Sequence, residues 1–328
     1  MRVLINGFGR IGRTLLRQIL TESGNSDIDV VGINDIASLE TCAYLFRYDS
    51  VFGPYPGTVE DAPDALIVDG RAIPFTMLAD LSHADLSGVD LVLECTGKAK
   101  SRDVAERGLK AGAKTVLISG PSEAADITTV LGANEEAIGD AKIVSNASCT
   151  TNGIAPLLHS LDEMFGIERA HITTIHCYTG SQPTVDAPAA SLERSRAAAV
   201  SMVPTSTSAA SQVTRVLPSM QGKLTVSAVR VPCISVSAVD AVLQLQQAPE
   251  GPLDDVLTGM FDGSNLIGLT NDPCVSTDMR ARPESLVLAL PETRRVGAHQ
   301  VRLFGWYDNE WGFSARMIDM ARFMVARG

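Results

Sequence analysis

The sequence predicts an α/β chain of two domains, a doubly wound parallel sheet first and then an α+β domain built on a largely antiparallel sheet. Three observations carry this expectation. Short apolar runs rich in β-branched residues alternate with helical periodicities through the first 148 residues, as parallel strands joined by helical crossovers do. Past residue 143 the strands lengthen and apolar and polar residues alternate along them, as in a sheet with one face covered. Finally, 328 residues exceed the size at which one hydrophobic core usually stays single.

The elements follow in order. Residues 2–6 (RVLIN) form a strand that runs into Gly7-Phe8-Gly9-Arg10-Ile11-Gly12, after which Ile11, Leu15, Leu16 and Ile19 recur at helical spacing. A second strand covers 28–34, with Asp35 at its carboxyl end, 23 residues beyond Gly12. Segments 89–95 and 115–119 read as buried parallel strands separated by a helix around 101–111. KIVSNAS supplies one more strand, and CTTNGIAPLLHSLDEMF a helix that opens close to Cys149. Segments 170–178, 224–231, 233–246 and 299–307 are the strands of the second sheet. Between the first two lies 179–210, rich in Ser, Thr, Ala, Pro and Arg, expected as a long ordered loop with a short helix, and such loops are usually functional. A terminal helix is expected over 311–328, where Phe313, Met317, Met320, Ala321 and Met324 share a face.

Composition narrows the partners. A formal charge of −11 repels nucleic-acid backbones and anionic membranes, so neither is expected as a partner and an anionic ligand needs a few local cations. No apolar run approaches the roughly 20 residues of a membrane helix, and MRVLINGFGR interrupts its apolar residues before a signal-peptide core can form. Cys42, Cys95, Cys149, Cys177, Cys233 and Cys274 are scattered without CxxC pairs, which predicts no metal site, no disulfide framework and a reducing, cytoplasmic setting.

The G-x-G-x-x-G turn between a strand and a helix is the dinucleotide-binding, Rossmann-type arrangement. Gly7 permits the bend, Gly9 admits a pyrophosphate against the backbone, and Gly12 lets helix and strand pack closely, with Arg10 and Ile11 opening the helix. Unpaired N–H groups at the helix N-terminus then hold the anion. Asp35 is placed to accept from ribose hydroxyls and to repel a 2′-phosphate, so the expected cofactor is NAD rather than NADP. A helix N-terminus and an imidazole together stabilise a thiolate. Cys149 has the first, and His176, 27 residues on at a predicted strand end, supplies the second if the two segments meet.

SNASCTTN, HCYT, RAAA, PTST, AVRVP and WYDNEWGF, together with NGFGRIGR at the start, resemble the glyceraldehyde-3-phosphate dehydrogenase family over nearly the whole chain. The resemblance implies an NAD-binding domain at 1–148 completed by the helix 311–328, a catalytic domain at 149–310, and a homotetramer. It implies oxidation of glyceraldehyde 3-phosphate with inorganic phosphate to 1,3-bisphosphoglycerate, the glycolytic reaction, with Cys149 as nucleophile and His176 as base through a hemithioacetal and a thioester. It further implies that Asn309 orients the nicotinamide and that Thr96 and Ser119 meet the cofactor. Arg230 and Thr179 would hold the substrate's phosphate; Arg194, Ser148, Thr150 and Thr207 would hold the attacking phosphate.

The chain departs from the family pattern at three places. After His176 the family usually reads Ser-Tyr-Thr-Asn-Asp-Gln, whereas here Cys177-Tyr178-Thr179-Gly180-Ser181-Gln182 follows, which alters the substrate-phosphate pocket. Ala187 precedes Pro188 where NAD-specific members commonly have Leu, leaving room for some NADP use. Phe313 stands where Tyr is frequent. Two rival readings are an erythrose-4-phosphate dehydrogenase, which deacylates with water, and a non-catalytic relative that uses Cys149 as an oxidisable thiol. The retained Tyr178-Thr179 and PTST favour the phosphorylating enzyme over the first. The joint presence of Cys149, His176, Arg194 and Arg230 argues against the second.

Overall fold

The computed structural model describes residues 1–327, and Gly328, placed by expectation in the terminal helix, lies outside the described residues. The described residues divide into two compact units, one of 1–129, 136–147 and 314–327, the other of 130–135 and 148–313. The expected boundaries, after 148 and after 310, differ from these by a few residues. Ser148 falls in the second unit because it caps a helix of that unit, and so do Trp311 to Phe313. The second unit also takes 130–135, where Gly132 closes on Pro156 and Leu266.

The first unit alternates strand and helix: β1 (Arg2–Asn6), α1 (Arg10–Thr21), β2 (Asp29–Asn34), α2 (Leu39–Arg47), β3 (Val59–Ala62), β4 (Ala65–Val68), β5 (Arg71–Thr76) and β6 (Leu91–Glu94). α3 (Arg102–Ala105), α4 (Arg107–Lys110), β7 (Thr115–Ile118), β8 (Ile127–Thr128) and β9 (Ile143–Ser145) complete its sheet, in the order β3-β4-β5-β2-β1-β6-β7-β9-β8. From β5 to β8 the neighbours are parallel, while β3, β4 and β5 pair antiparallel. β6 and β7 are buried along their whole length, so they read as unbroken apolar runs. The single helix expected near 101–111 is two short ones meeting at Glu106.

The second unit contains α5 (Cys149–Phe165), β10 (Ile167–Cys177), β11 (Val203–Thr205), α6 (Ala209–Val216), β12 (Leu224–Val231), β13 (Ser237–Leu245) and α7 (Leu253–Phe261). β14 (Ile267–Thr270), β15 (Leu286–Ala289), β16 (Arg294–Val296) and β17 (Gln300–Tyr307) follow, and α8 (Trp311–Arg327) carries the chain back into the first unit. Its sheet runs β11-β12-β10-β13-β17-β15-β14, with β16 on β17. The pairs β10–β12 and β14–β15 are parallel and the others antiparallel. β13 begins at Ser237, four residues later than the expected 233, because Val236 turns into the left-handed region at φ 66°.

Candidate active site

The glycine turn of the first unit is fixed by steric necessity at two of its three glycines. Gly7 has φ +94°, and a Cβ there would lie 2.6 Å from the Thr96 backbone nitrogen; at Gly12 it would lie 2.1 Å from the Gly7 carbonyl oxygen. Both distances are impossible for a side chain. Gly9, in contrast, faces open space, with nothing within 4 Å of its notional Cβ. No side chain caps α1 and no acid stands in its first turn, so its leading N–H groups are available to a pyrophosphate. The residues present therefore fit a dinucleotide.

A cleft of about 470 Å³ opens beside this turn, and its wall includes Gly7, Gly9, Asp35 and Thr96 together with Ile36 and Leu78. Asp35 accepts from the backbone N–H of Phe8 at 2.6 Å and of Ala37 at 2.8 Å, which fixes its carboxylate at the end of β2. Arg10 and Ile11 head α1, with Arg10 paired to Asp49. Ser119 follows β7, where its N–H donates to the Glu94 carbonyl at 2.9 Å. A buried polar chain lies under the strand ends: Asn34 donates to Asn6, and Asn6 donates to Glu94. Burial pushes the Glu94 carboxyl up, and the donors Thr96 and Asn6 oppose it.

In the second unit Cys149 is the first residue of α5. The side chain of Ser148 caps that helix by accepting from the Thr151 N–H at 3.1 Å, the ordinary way an N-terminal turn is closed. The Cys149 thiol Sγ lies 3.6 Å from His176 Nε2. β10 and β12 run parallel in a register that sets His176 opposite Arg230. His176 Nδ1 lies 2.7 Å from the Cys177 carbonyl, to which Arg230 Nη1 also donates at 2.9 Å. That carbonyl can only accept, while Arg230 Nη1, which can only donate, also lies 2.9 Å from Nδ1, so either tautomer of the ring finds a partner at this nitrogen while Nε2 faces the thiol.

The protonation states follow from burial. His176 is pulled down to about 4, by loss of hydration first and by the neighbouring Arg230 charge second. Burial also pushes the Cys149 thiol up, while Arg230 and hydrogen bonds from Thr150 pull the other way. The buried position thus penalises the charged form of each group, and Arg230 offsets part of that penalty for the thiol.

Of the other expected site residues, Arg230 joins this group. Thr150 is adjacent, but its hydroxyl meets Tyr307 Oη at 2.9 Å. Arg194 lies beyond the strand ends, its Nε donating to Thr205 at 2.6 Å and its Nη2 to the Ser206 carbonyl at 3.0 Å. Thr207 follows there and accepts from the Ala209 N–H. The Thr179 hydroxyl meets Ser181 at 3.0 Å. Asn309, just past β17, accepts from the Cys177 thiol at 3.2 Å. Sequence reasoning missed Tyr307, whose buried hydroxyl bridges Thr150 and Thr174 and whose ring stands edge-on to His176 with 6.0 Å between centroids. Its signal was present: a tyrosine inside the WYDNEWGF motif. Among the described residues no three His, Cys, Asp or Glu side chains gather as a metal site would, and no helix is long and apolar enough to cross a membrane.

A doubly wound nucleotide-binding unit joined to a second unit in which a helix N-terminus sets a thiol beside an imidazole of its sheet is the make-up of an NAD-dependent oxidoreductase. Residues 1–102 match the model described as the glyceraldehyde 3-phosphate dehydrogenase NAD binding domain, and residues 148–309 match its C-terminal domain. The chain belongs to the glyceraldehyde-3-phosphate dehydrogenase family. It is 46% identical to glyceraldehyde-3-phosphate dehydrogenase of Xanthobacter flavus, over 98% of this chain and 97% of that one. Identity to the Pseudomonas aeruginosa enzyme of that name is 45%, over 99% and 98% of the two chains. Glyceraldehyde-3-phosphate dehydrogenase 1 of Bacillus cereus is 39% identical, over 100% and 99%.

Proposed function

We propose that the protein oxidises glyceraldehyde 3-phosphate with NAD and inorganic phosphate to 1,3-bisphosphoglycerate. The observation that carries this reading is the 3.6 Å approach of the Cys149 thiol to Nε2 of the His176 imidazole. In the first step Sγ bonds to the aldehyde carbon, and the thiol proton passes through Nε2 to the former carbonyl oxygen, giving a hemithioacetal. Loss of a hydride from that carbon, with His176 Nε2 taking the hydroxyl proton, leaves a thioester. Bound NAD supplies the acceptor for that hydride. Phosphate then attacks the thioester carbon, the C–S bond breaks, and Cys149 recovers its proton from His176.

In this reading Arg230 and Thr179 hold the substrate's own phosphate, while Arg194, Ser148, Thr150 and Thr207 receive the attacking one; Gly7, Gly9, Arg10, Ile11, Gly12, Asp35, Thr96, Ser119 and Asn309 serve the cofactor. Self-association into a homotetramer is supported by an exposed apolar loop, in which Val185, Leu192, Val200 and Met202 are each more than 70% exposed. It is also supported by the hollow of about 710 Å³ on the second sheet, lined by Arg169, His171, Lys223 and Gln300 with Leu224, Val242 and Leu243. A cytoplasmic, glycolytic setting goes with six free cysteines.

The test is NADH formation from glyceraldehyde 3-phosphate with and without phosphate or arsenate. Turnover is expected to need one of the two anions. Equal rates without either select hydrolytic deacylation, and no turnover of any phosphorylated aldehyde removes the enzymatic reading.

A further inference from the structure

Asn309 is 8% exposed and its carboxamide is held from one side only. Its oxygen takes the Cys177 thiol at 3.2 Å and the Ser237 hydroxyl at 3.5 Å. Ser237 is itself fixed, because its hydroxyl accepts from the Cys177 N–H at 3.2 Å. Both neighbours are 1% exposed. The nitrogen of the same carboxamide has no partner among the described residues and is not sealed from solvent. Rotating the amide by half a turn would set its N–H₂ against an S–H donor, and a thiol sulfur is a poor acceptor. Burial pushes the Cys177 thiol up to about 12, so it remains a donor throughout the neutral range.

We propose that Cys177 and Ser237 are positioning residues that lock the Asn309 carboxamide with its oxygen inward, so that Nδ2 reads the carbonyl oxygen on the pyridine ring of the dinucleotide. The inference rests on the reading of Asn309 as the residue that faces the nicotinamide. It goes beyond that reading in fixing the direction of the hydrogen bond and in giving a role to Cys177, which stands where the family pattern has serine. A pocket that recognises only the carbonyl takes any pyridine dinucleotide carrying an acceptor there and is indifferent to the amide N–H₂.

Calorimetric titration of the full protein with NAD and with 3-acetylpyridine adenine dinucleotide, in which methyl replaces the amide nitrogen, separates the two directions. The two Kd values are expected within about threefold of each other, whereas a site built to accept from the missing N–H₂ would reject the analogue by about tenfold or more. Such a rejection overturns the proposal. Asn309→Asp, which only accepts, is expected to weaken the analogue about tenfold more than NAD. Cys177→Ser keeps a donor and should keep the wild-type ratio of Kd values. Cys177→Ala frees the amide to turn toward the N–H₂ of NAD and should raise the ratio of analogue to NAD about threefold; an unchanged ratio removes Cys177 from the proposal. Asn309→Ala with both Kd values unchanged sinks the underlying reading of Asn309 and leaves the amide's orientation irrelevant.

Discussion

His176 is a base because it is kept uncharged. Its protonated form is opposed by burial and by Arg230, and its Nδ1 is held between the Cys177 carbonyl at 2.7 Å and Arg230 Nη1 at 2.9 Å. Replacement by Asn keeps a polar group but removes proton transfer, and kcat should fall by about 10² to 10⁴, measured as NADH release at saturating substrate; a smaller change would assign the base to another group. The same shift sets a dependence of stability on pH. The folded value of about 4 lies below the ordinary imidazole value, so the unfolded chain binds this proton more readily. The contribution is fully present above about pH 6.5 and is lost as the pH falls toward 4, by up to roughly 3 kcal/mol. Urea midpoints of the wild type and of His176→Asn should therefore converge on acidification; parallel curves would place the imidazole in contact with water.

Each glycine of the turn between β1 and α1 does a different job, and Gly12 has the least room. Gly12→Ala puts a carbon 2.1 Å from the Gly7 carbonyl oxygen, so the turn or the helix must shift and the row of N–H groups at the start of α1 moves with it. NAD binding, followed by fluorescence quenching, is expected to weaken by at least about tenfold, since a displacement of this kind misaligns the anion donors. Retained affinity would mean that the helix start is not where the pyrophosphate sits. These elements were legible because punctuation and periodicity agree in them: β1 and α5 begin and end at the residues expected, and α5 keeps Pro156 within it. The ladder of β3, β4 and β5 had no such signal. It consists of short strands, β3 with a single buried residue, joined through Asp64 and through Asp69 and Gly70, all at positive φ, and apolar periodicity over so few residues does not distinguish a strand from a loop. In the same way Cys149 and His176 could be named from their motifs. The roles of the Cys177 thiol and the Tyr307 hydroxyl could not be read even where a motif contains the residue, because their partnerships with Asn309 and Thr150 span 132 and 157 residues and exist only once β10, β13 and β17 are side by side.

Across the whole chain the acidic balance, −11 at neutral pH, keeps copies apart at long range but is screened within about 10 Å at ordinary ionic strength. Apolar loops can therefore meet once molecules are close. Sedimentation equilibrium is expected to give about four times the 34.8 kDa chain mass, and a single-chain mass at micromolar concentration would reject the tetramer. The return of α8 has a further consequence, concerning the order in which the protein is made. Met317, Met320 and Met324 are buried, Arg322 is paired with Asp27, and Arg327 with Glu136. The first unit thus needs a piece of itself that leaves the ribosome after the entire second unit, and it must wait, with an unfilled flank, while the later-born half can already collapse around its own sheet.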